Sequence, residues 1–264
     1  MAPKPKPGSA AARKRTAPGK PITDWAAVIP AICGRLANGE SLRAICKSPE
    51  MPSRASVMER LVTDAHFREA YEIARAIQQP DACIVLLFMS SRHDLRALER
   101  ALEGAFSCPV IGCTTSGEIS TGLGYEEGTI VGVSLSSPDL IAHPRLIAPL
   151  CRFGPEEGQR LALDLHGELR LAASFDPQRM FSLLLVDGLS MLEEQVVATL
   201  HRSLCGVPLI GGSAGDDLAF TRTHVYFGGK FHEDAAVFTL FETTLPFKAF
   251  HIQHFEPTAT RLVI

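Results

Sequence analysis

The spacing of apolar residues changes once along this chain, near residue 80. Before it, apolar positions recur every three to four residues, the period of helices packed by one face. Val28, Ile32 and Leu36 predict a helix capped by Thr23 or Asp24 and stopped at Asn38-Gly39; Pro30 either kinks it or marks its true start. Ser41 begins a short second helix with Leu42, Ala44 and Ile45, broken by Ser48-Pro49-Glu50-Met51-Pro52. Ser53 caps a third, which turns Val57, Met58 and Leu61 inward and Arg54, Glu59 and Arg60 outward. A fourth, from Asp64 to Gln78, carries Phe67, Tyr71 and Ala74 on one stripe. Short helix, turn and capped helix with basic residues near its start is helix-turn-helix spacing. A small helical bundle needs nothing beyond the same stripes.

From Asp81 the chain alternates strands and helices. Ile84–Met89 is a continuous apolar run, as in a strand buried on both faces. Helical spacing follows over Asp94–Phe106, then a strand at Pro109–Cys113, strands of a meander at Thr129–Leu135 and Leu140–Ala148, and a helix over Pro155–Ala172. The order then restarts: strand Phe181–Val186, helix Glu193–Leu204, strand Pro208–Gly211, strands Thr223–Phe227 and Ala235–Phe241, and a last strand Phe247–His254. Two strand-to-loop stretches anchor the copies. Pro109-Val110-Ile111-Gly112-Cys113-Thr114-Thr115-Ser116-Gly117-Glu118 and Pro208-Leu209-Ile210-Gly211-Gly212-Ser213-Ala214-Gly215-Asp216-Asp217 share one order of Pro, apolar pair, Gly, small residues and acid, 99 positions apart. The expected class is α/β (α+β), with duplicated β-α-β-β units in an α-β-β-α layered sandwich behind a small all-helical module. A single mixed sheet with helices on both sides is the alternative.

A strand that spills into a Gly/Ser/Thr loop leaves N–H groups free and lets a ligand approach. The candidate ligand-binding residues are therefore Cys113, Thr114, Thr115, Ser116, Glu118, Asp187, Gly212, Ser213, Asp216 and Asp217. The acids Glu118, Asp216 and Asp217 suit a metal or a ligand's amine or hydroxyl, or else cap loop N–H groups. Gly211-Gly212-Ser213-Ala214-Gly215 also satisfies G-x-S-x-G. A nucleophile elbow needs a helix after the serine, and Asp216–Thr221 has no helical stripe. A hydrolase using Ser213, or a thiol enzyme using Cys113, is the competing reading.

Composition adds three points. Residues 1–80 hold thirteen basic against seven acidic side chains, and residues 81–264 thirteen against twenty-two, which suits a basic module facing an acidic partner. Residues 1–20 carry Lys4, Lys6, Arg13, Lys14, Arg15 and Lys20 among Pro, Ala and Gly with no acid, the composition of a disordered basic arm. The seven cysteines form no Cys-x-x-Cys and read as reduced thiols of a cytoplasmic protein, and no apolar run reaches the length of a membrane span.

Two resemblances sharpen this reading. Gly39-Glu40-Ser41-Leu42-Arg43-Ala44-Ile45-Cys46, Met51–Val57 and Phe67-Arg68-Glu69-Ala70-Tyr71 resemble the helix-turn-helix part of phage terminase small-subunit proteins over about residues 22–78. That implies DNA binding through residues 21–79, with Arg54, Ser56 and Arg60 on the helix that enters the groove. Met58-Glu59-Arg60 departs from the basic-aromatic pair usual there, which sets Glu59 against phosphate.

Ile84–Phe88 with His93-Asp94-Leu95, the loop Val110–Ile119, Val186-Asp187-Gly188 and the loop Leu209–Asp217 resemble the FIST N-terminal domain over about residues 81–260. The resemblance implies a bacterial signal-transduction sensor, not an enzyme, that binds a small amino-acid-like ligand. In the nitric-oxide-sensing NosP-like members it implies haem and a histidine kinase partner. Haem is thus a candidate cofactor, and no axial ligand or metal ligand is assignable among the His and Cys residues. Such domains are followed by a FIST C domain, and Arg261-Leu262-Val263-Ile264 reads as a strand cut short on the way to it.

Overall fold

The computed structural model describes residues 24–77, 79–120 and 124–250. The basic arm and half of the expected Phe247–His254 strand, residues 251–254, lie outside them, and the described half, Phe247–Phe250, forms no strand. Four helices come first: α1 (Trp25–Ala37), α2 (Leu42–Ile45), α3 (Arg54–Thr63) and α4 (Ala65–Ala76). Asp24, Ser41, Ser53 and Asp64 cap them in turn, each accepting a hydrogen bond from an N–H in the first turn. Pro30 is inside α1 and not its start, so it removes one interior hydrogen bond. Ile32, Leu36, Ile45, Val57, Phe67 and Ala74 meet in one core. Met58 corrects the expectation: it is 48% exposed, because the buried stripe of α3 is Val57 and Leu61.

The remainder builds two sheets from two copies of one unit. In the first, β1 (Ile84–Ser90), α5 (Leu95–Leu102) and β2 (Val110–Thr115) form a parallel crossover, and β5 (Ile130–Leu135) lies antiparallel on the other side of β1. In the second, β7 (Met180–Val186), α7 (Glu193–Ser203) and β8 (Leu209–Ser213) repeat the crossover, with β11 (Ala236–Thr243) antiparallel to β7. The halves then exchange strands. β6 (Leu140–Ile147) leaves the first half to pair with β11, and the hairpin β9 (Val225–Phe227)–β10 (Lys230–His232) leaves the second half to pair with β2. The orders are β10-β9-β2-β1-β5 and β6-β11-β7-β8. The strands expected as a meander, β5 and β6, therefore belong to different sheets. A third, two-stranded sheet, the hairpin of β3 (Glu118–Ser120) with β4 (Gly124–Glu126), has no apolar alternation to announce it.

The bare faces of the sheets pack on each other through Ile84, Ile111, Cys113 and Val225 from one side and Leu185, Val237 and Phe241 from the other. Phe181 stacks on Phe241 with ring centroids 4.7 Å apart. The outer face of the first sheet (Val85, Leu87, Met89) is covered by Leu98 and Leu102 of α5 and by Ile73 and Ile77 of the α4 segment. That of the second (Leu184, Val186, Phe238, Leu240) is covered by α7 and by α6 (Pro155–Glu168). The layers are helix, sheet, sheet, helix.

Because α4 contributes to this cover, the helical segment is docked on the sandwich. Gln79 N–H donates to the Ala37 carbonyl at 2.9 Å, and the Ser134 hydroxyl donates to the Gln79 side chain at 2.8 Å. A buried carboxylate fixes the far end. Glu242 accepts the N–H groups of Arg170, Leu171 and Ala172, and His143 Nε2 lies 2.6 Å away.

The shared Pro-apolar-apolar-Gly of the two motifs has a steric cause. Gly112 sits opposite Leu87 and Gly211 opposite Leu184, and a Cβ at either would overlap the carbonyl oxygen of that neighbour. A Cβ on Gly212 would meet nothing within 4 Å. Gly112→Ala and Gly211→Ala are thus expected to lower the denaturant midpoint by about 1–3 kcal/mol of stability or more, with Gly212→Ala close to wild type. Equal effects at all three positions would refute the steric account.

Candidate functional site

Both motifs run off the carboxyl ends of β2 and β8, so their loops meet at one end of the sandwich. Gly215 N–H donates to the Thr114 carbonyl at 2.8 Å, and Asp217 N–H donates to the Ser116 hydroxyl at 3.1 Å. Thr114 also accepts the His224 N–H through its hydroxyl at 3.0 Å, tying in the strand that enters β9.

The carboxylates singled out in the sequence hold this frame together. Buried Glu118 accepts the hydroxyls of Thr115 at 2.6 Å and Thr129 at 2.9 Å, and the Thr129 N–H at 3.1 Å. Buried Asp187 accepts the Thr223 hydroxyl, the Leu189 N–H at 3.1 Å and the Asp234 N–H at 2.7 Å. Asp216 accepts the N–H groups of Phe220 at 3.0 Å, Thr221 at 2.6 Å and Arg222 at 3.0 Å. The Thr221 N–H leads the Arg222, Phe220 and Thr221-hydroxyl bonds in holding Asp216 below its ordinary pKa, against the opposing effect of burial. This nest holds Asp217, Leu218 and Phe220 at φ of 57°, 63° and 51°, the left-handed region where each non-Gly residue costs about 1 kcal/mol or more. Asp217 itself turns outward to Arg92 Nε at 2.6 Å, and Arg92 also reaches Glu127 at 2.7 Å.

Three candidates sit elsewhere. Cys113 is 3% exposed in the core between the sheets, and burial pushes its thiol up to about 12. Gly212 and Ser213 lie on the exposed outer strand of the second sheet, where the Ser213 hydroxyl is 3.4 Å from Glu193. No helix follows Ser213; the chain turns at Asp217-Leu218 and reaches β9 without regular structure. Among the described residues no group of three or more His, Cys, Asp or Glu side chains is placed to hold a metal.

Beside the clasped loops opens a polar cleft of about 930 Å³. Leu95, Arg96 and Glu99 of α5 form one wall, Asp216, Thr221, Arg222 and His224 another, and Lys230, Phe231 and Glu233 of the β9–β10 hairpin the third. Of the residues picked from sequence only Asp216 lines it. Glu99 accepts the Phe231 N–H at 2.8 Å, and Glu233 lies 3.1 Å from His224 Nε2. Arg96 and Lys230 have no ion-pair partner among the described residues. Apart from Asp216 and Leu95 these cleft residues belong to no motif, so the only signal for them was their place beside the loop ends.

In the amino-terminal segment Arg54 is exposed. Ser56 is taken up in the helix cap with Ser53 at 2.9 Å, and Arg60 pairs with Asp64 at 2.8 Å and lies over the Trp25 ring.

Comparison with known proteins gives two family matches. The model of the FIST N domain matches residues 83–264, and that of the bacteriophage Sf6 terminase small subunit-like family matches residues 25–85. No curated protein gave a match. The first match covers more than half of the chain, which belongs to the FIST N domain family, a family of signal-transduction sensor domains. No helix of the described residues is long and apolar enough to cross a membrane.

Two outcomes follow. Because the Asp216 carboxylate is held below its ordinary pKa, its bonds persist above that range and are lost only as pH falls through the depressed value. Amide exchange at Phe220, Thr221 and Arg222 should stay slow down to about pH 4 and rise in Asp216→Ala at every pH; unchanged exchange in that variant would contradict the nest. Iodoacetamide at neutral pH should label the exposed Cys151 and Cys205 and spare Cys113, and fast labelling of Cys113 would revive the thiol reading.

Proposed function

We propose that this FIST-domain protein is a non-enzymatic cytoplasmic sensor whose polar cleft binds a small zwitterion of amino-acid type. One observation carries the reading. The cleft presents charges of both signs, with Arg96 and Lys230 free to meet a carboxylate and Glu99 and Glu233 able to receive an ammonium group. Its volume is in the range of small-molecule sites. Of the ten residues picked from the motifs, Asp216 lines the cleft, and Thr114 and Ser116 serve it indirectly, since their clasp with the Gly215 loop and the nest of Asp216 set the position of Arg222 and His224.

A route to an output is also present. α5 carries Arg96 and Glu99 into the cleft at its amino-terminal half, while Ala101 and the following Ala105 pack in the core of the helical segment. A ligand that shifts α5 shifts residues 25–85 with it. The output is DNA binding by that segment, with Arg54 the exposed base on α3, or contact with a histidine kinase.

For haem, which NosP-like members hold, four of the described His and Cys side chains are already engaged or buried. His143 is held between Glu242 and Glu168, His224 against Glu233 and His232 on the Phe227 carbonyl, while Cys113 is a buried thiol. His201 lines an apolar groove together with Leu209–Ser213 of β8.

Isothermal titration against the standard amino acids should find at least one ligand, with Arg96→Ala and Lys230→Ala each weakening it by about tenfold or more. No heat from any of them would reject the ligand class. Equal DNA affinity with and without the ligand found would reject the coupling.

A further inference from the structure

The two halves differ at one edge. β2 is closed along its outer side by β9, antiparallel, with Ile111 opposite Phe227, Gly112 opposite Tyr226 and Cys113 opposite Val225. The equivalent residues of β8, 99 positions later, are Ile210, Gly211 and Gly212; β7 lies on their inner side and no described strand on their outer side. The consequence shows in exposure: Ile111–Thr114 are buried and Ile210–Ser213 are exposed. Ser182 N–H donates to the Pro208 carbonyl and Ala214 N–H to the Val186 carbonyl. By alternation, Leu209, Gly211 and Ser213 aim their N–H and C=O groups at the open side. This edge has no Lys, no bulge and no interior Pro, the usual guards against pairing.

Above the edge runs an apolar groove of about 430 Å³ between β8 and α7. α7 lines it with Glu193, Val197 and His201, spaced by four on one helical stripe. The stripe is acidic at its amino end, apolar in the middle and basic at its carboxyl end. Val197 is 41% exposed and Ile210 44%.

We propose that this edge joins two copies of the chain about a two-fold axis, β8 pairing antiparallel with β8 of the second copy. The axis passes by Gly211, so Gly211 faces its own counterpart and Leu209 faces Ser213, each pair exchanging both backbone bonds. Ile210 then falls opposite Gly212, where there is room for it. The same axis runs the two α7 helices antiparallel. Val197 meets Val197 of the second copy, and each Glu193 meets the other copy's His201 and Arg202. An isologous contact demands such self-complementarity, and an unrelated partner strand would not. The two sheets of four become one continuous sheet of eight across the dimer.

Sedimentation equilibrium of the full chain should show a monomer–dimer equilibrium. Val197→Glu, which sets like charges together on the axis, should raise the dissociation constant by at least about tenfold with unchanged circular dichroism. Leu163→Glu, on the exposed face of α6, should leave it alone. Glu193→Arg should weaken the dimer, and Glu193→Arg with His201→Glu should restore it. A wild-type chain that is monomeric at every concentration, a dimer indifferent to Val197→Glu, or a charge exchange that restores nothing would overturn the proposal.

Discussion

Two parallel strand pairs approach so closely that neither Gly112 nor Gly211 has room for a Cβ. Much of the site follows from that constraint. Close approach aligns the carboxyl ends of β1 with β2 and of β7 with β8, so the loops leave the sheets at one level. The loop after β8 then reaches the loop after β2, where the Thr114 carbonyl and Ser116 hydroxyl receive the N–H groups of Gly215 and Asp217. A side chain on Gly215 would overlap the Ser116 hydroxyl, so the clasp itself requires a second small residue.

Buried charge in this end of the molecule is spent on the backbone. Glu118, Asp187 and Asp216 each accept three or more hydrogen bonds from N–H and hydroxyl donors. A carboxylate satisfied in this way is stable where it is, whereas an unpaired one would cost several kcal/mol. It also has little capacity left for a ligand. Acids in the loops therefore fix geometry, and groups further out, with partners to spare, are the ones available for recognition.

Much of the fold was legible because its signals are local. A continuous apolar run marks β1 and largely apolar runs mark β7 and β11, and the caps at Ser41, Ser53 and Asp64 mark helix starts. The duplication was legible from the twin motifs and implied the layered sandwich. The exchange of β6 and β9–β10 between halves was not, because pairing partners leave no trace in the period of either strand. The same limit hid the cleft. Arg96 comes from α5 and Lys230 and Glu233 from the β9–β10 hairpin, two elements that only the exchange brings together. Met58 was misjudged for a related reason: a short helix can turn several stripes inward, and here Val57 and Leu61 form the buried one.

The exchange also explains why two copies of one unit do different things. In the first half, the β9–β10 hairpin closes the edge of β2 and at the same time supplies Lys230, Phe231 and Glu233 as the third wall of the cleft. In the second half nothing described performs either task. Its motif strand keeps an open edge, its glycine loop faces solvent at Ser213, and its helix α7 lines an apolar groove where α5 lines a polar cleft. One copy thus has a walled recess suited to a small polar molecule, and the other a flat edge suited to a strand. The divergence lies in which surface each unit covers, and it needed no change in the β-α-β frame.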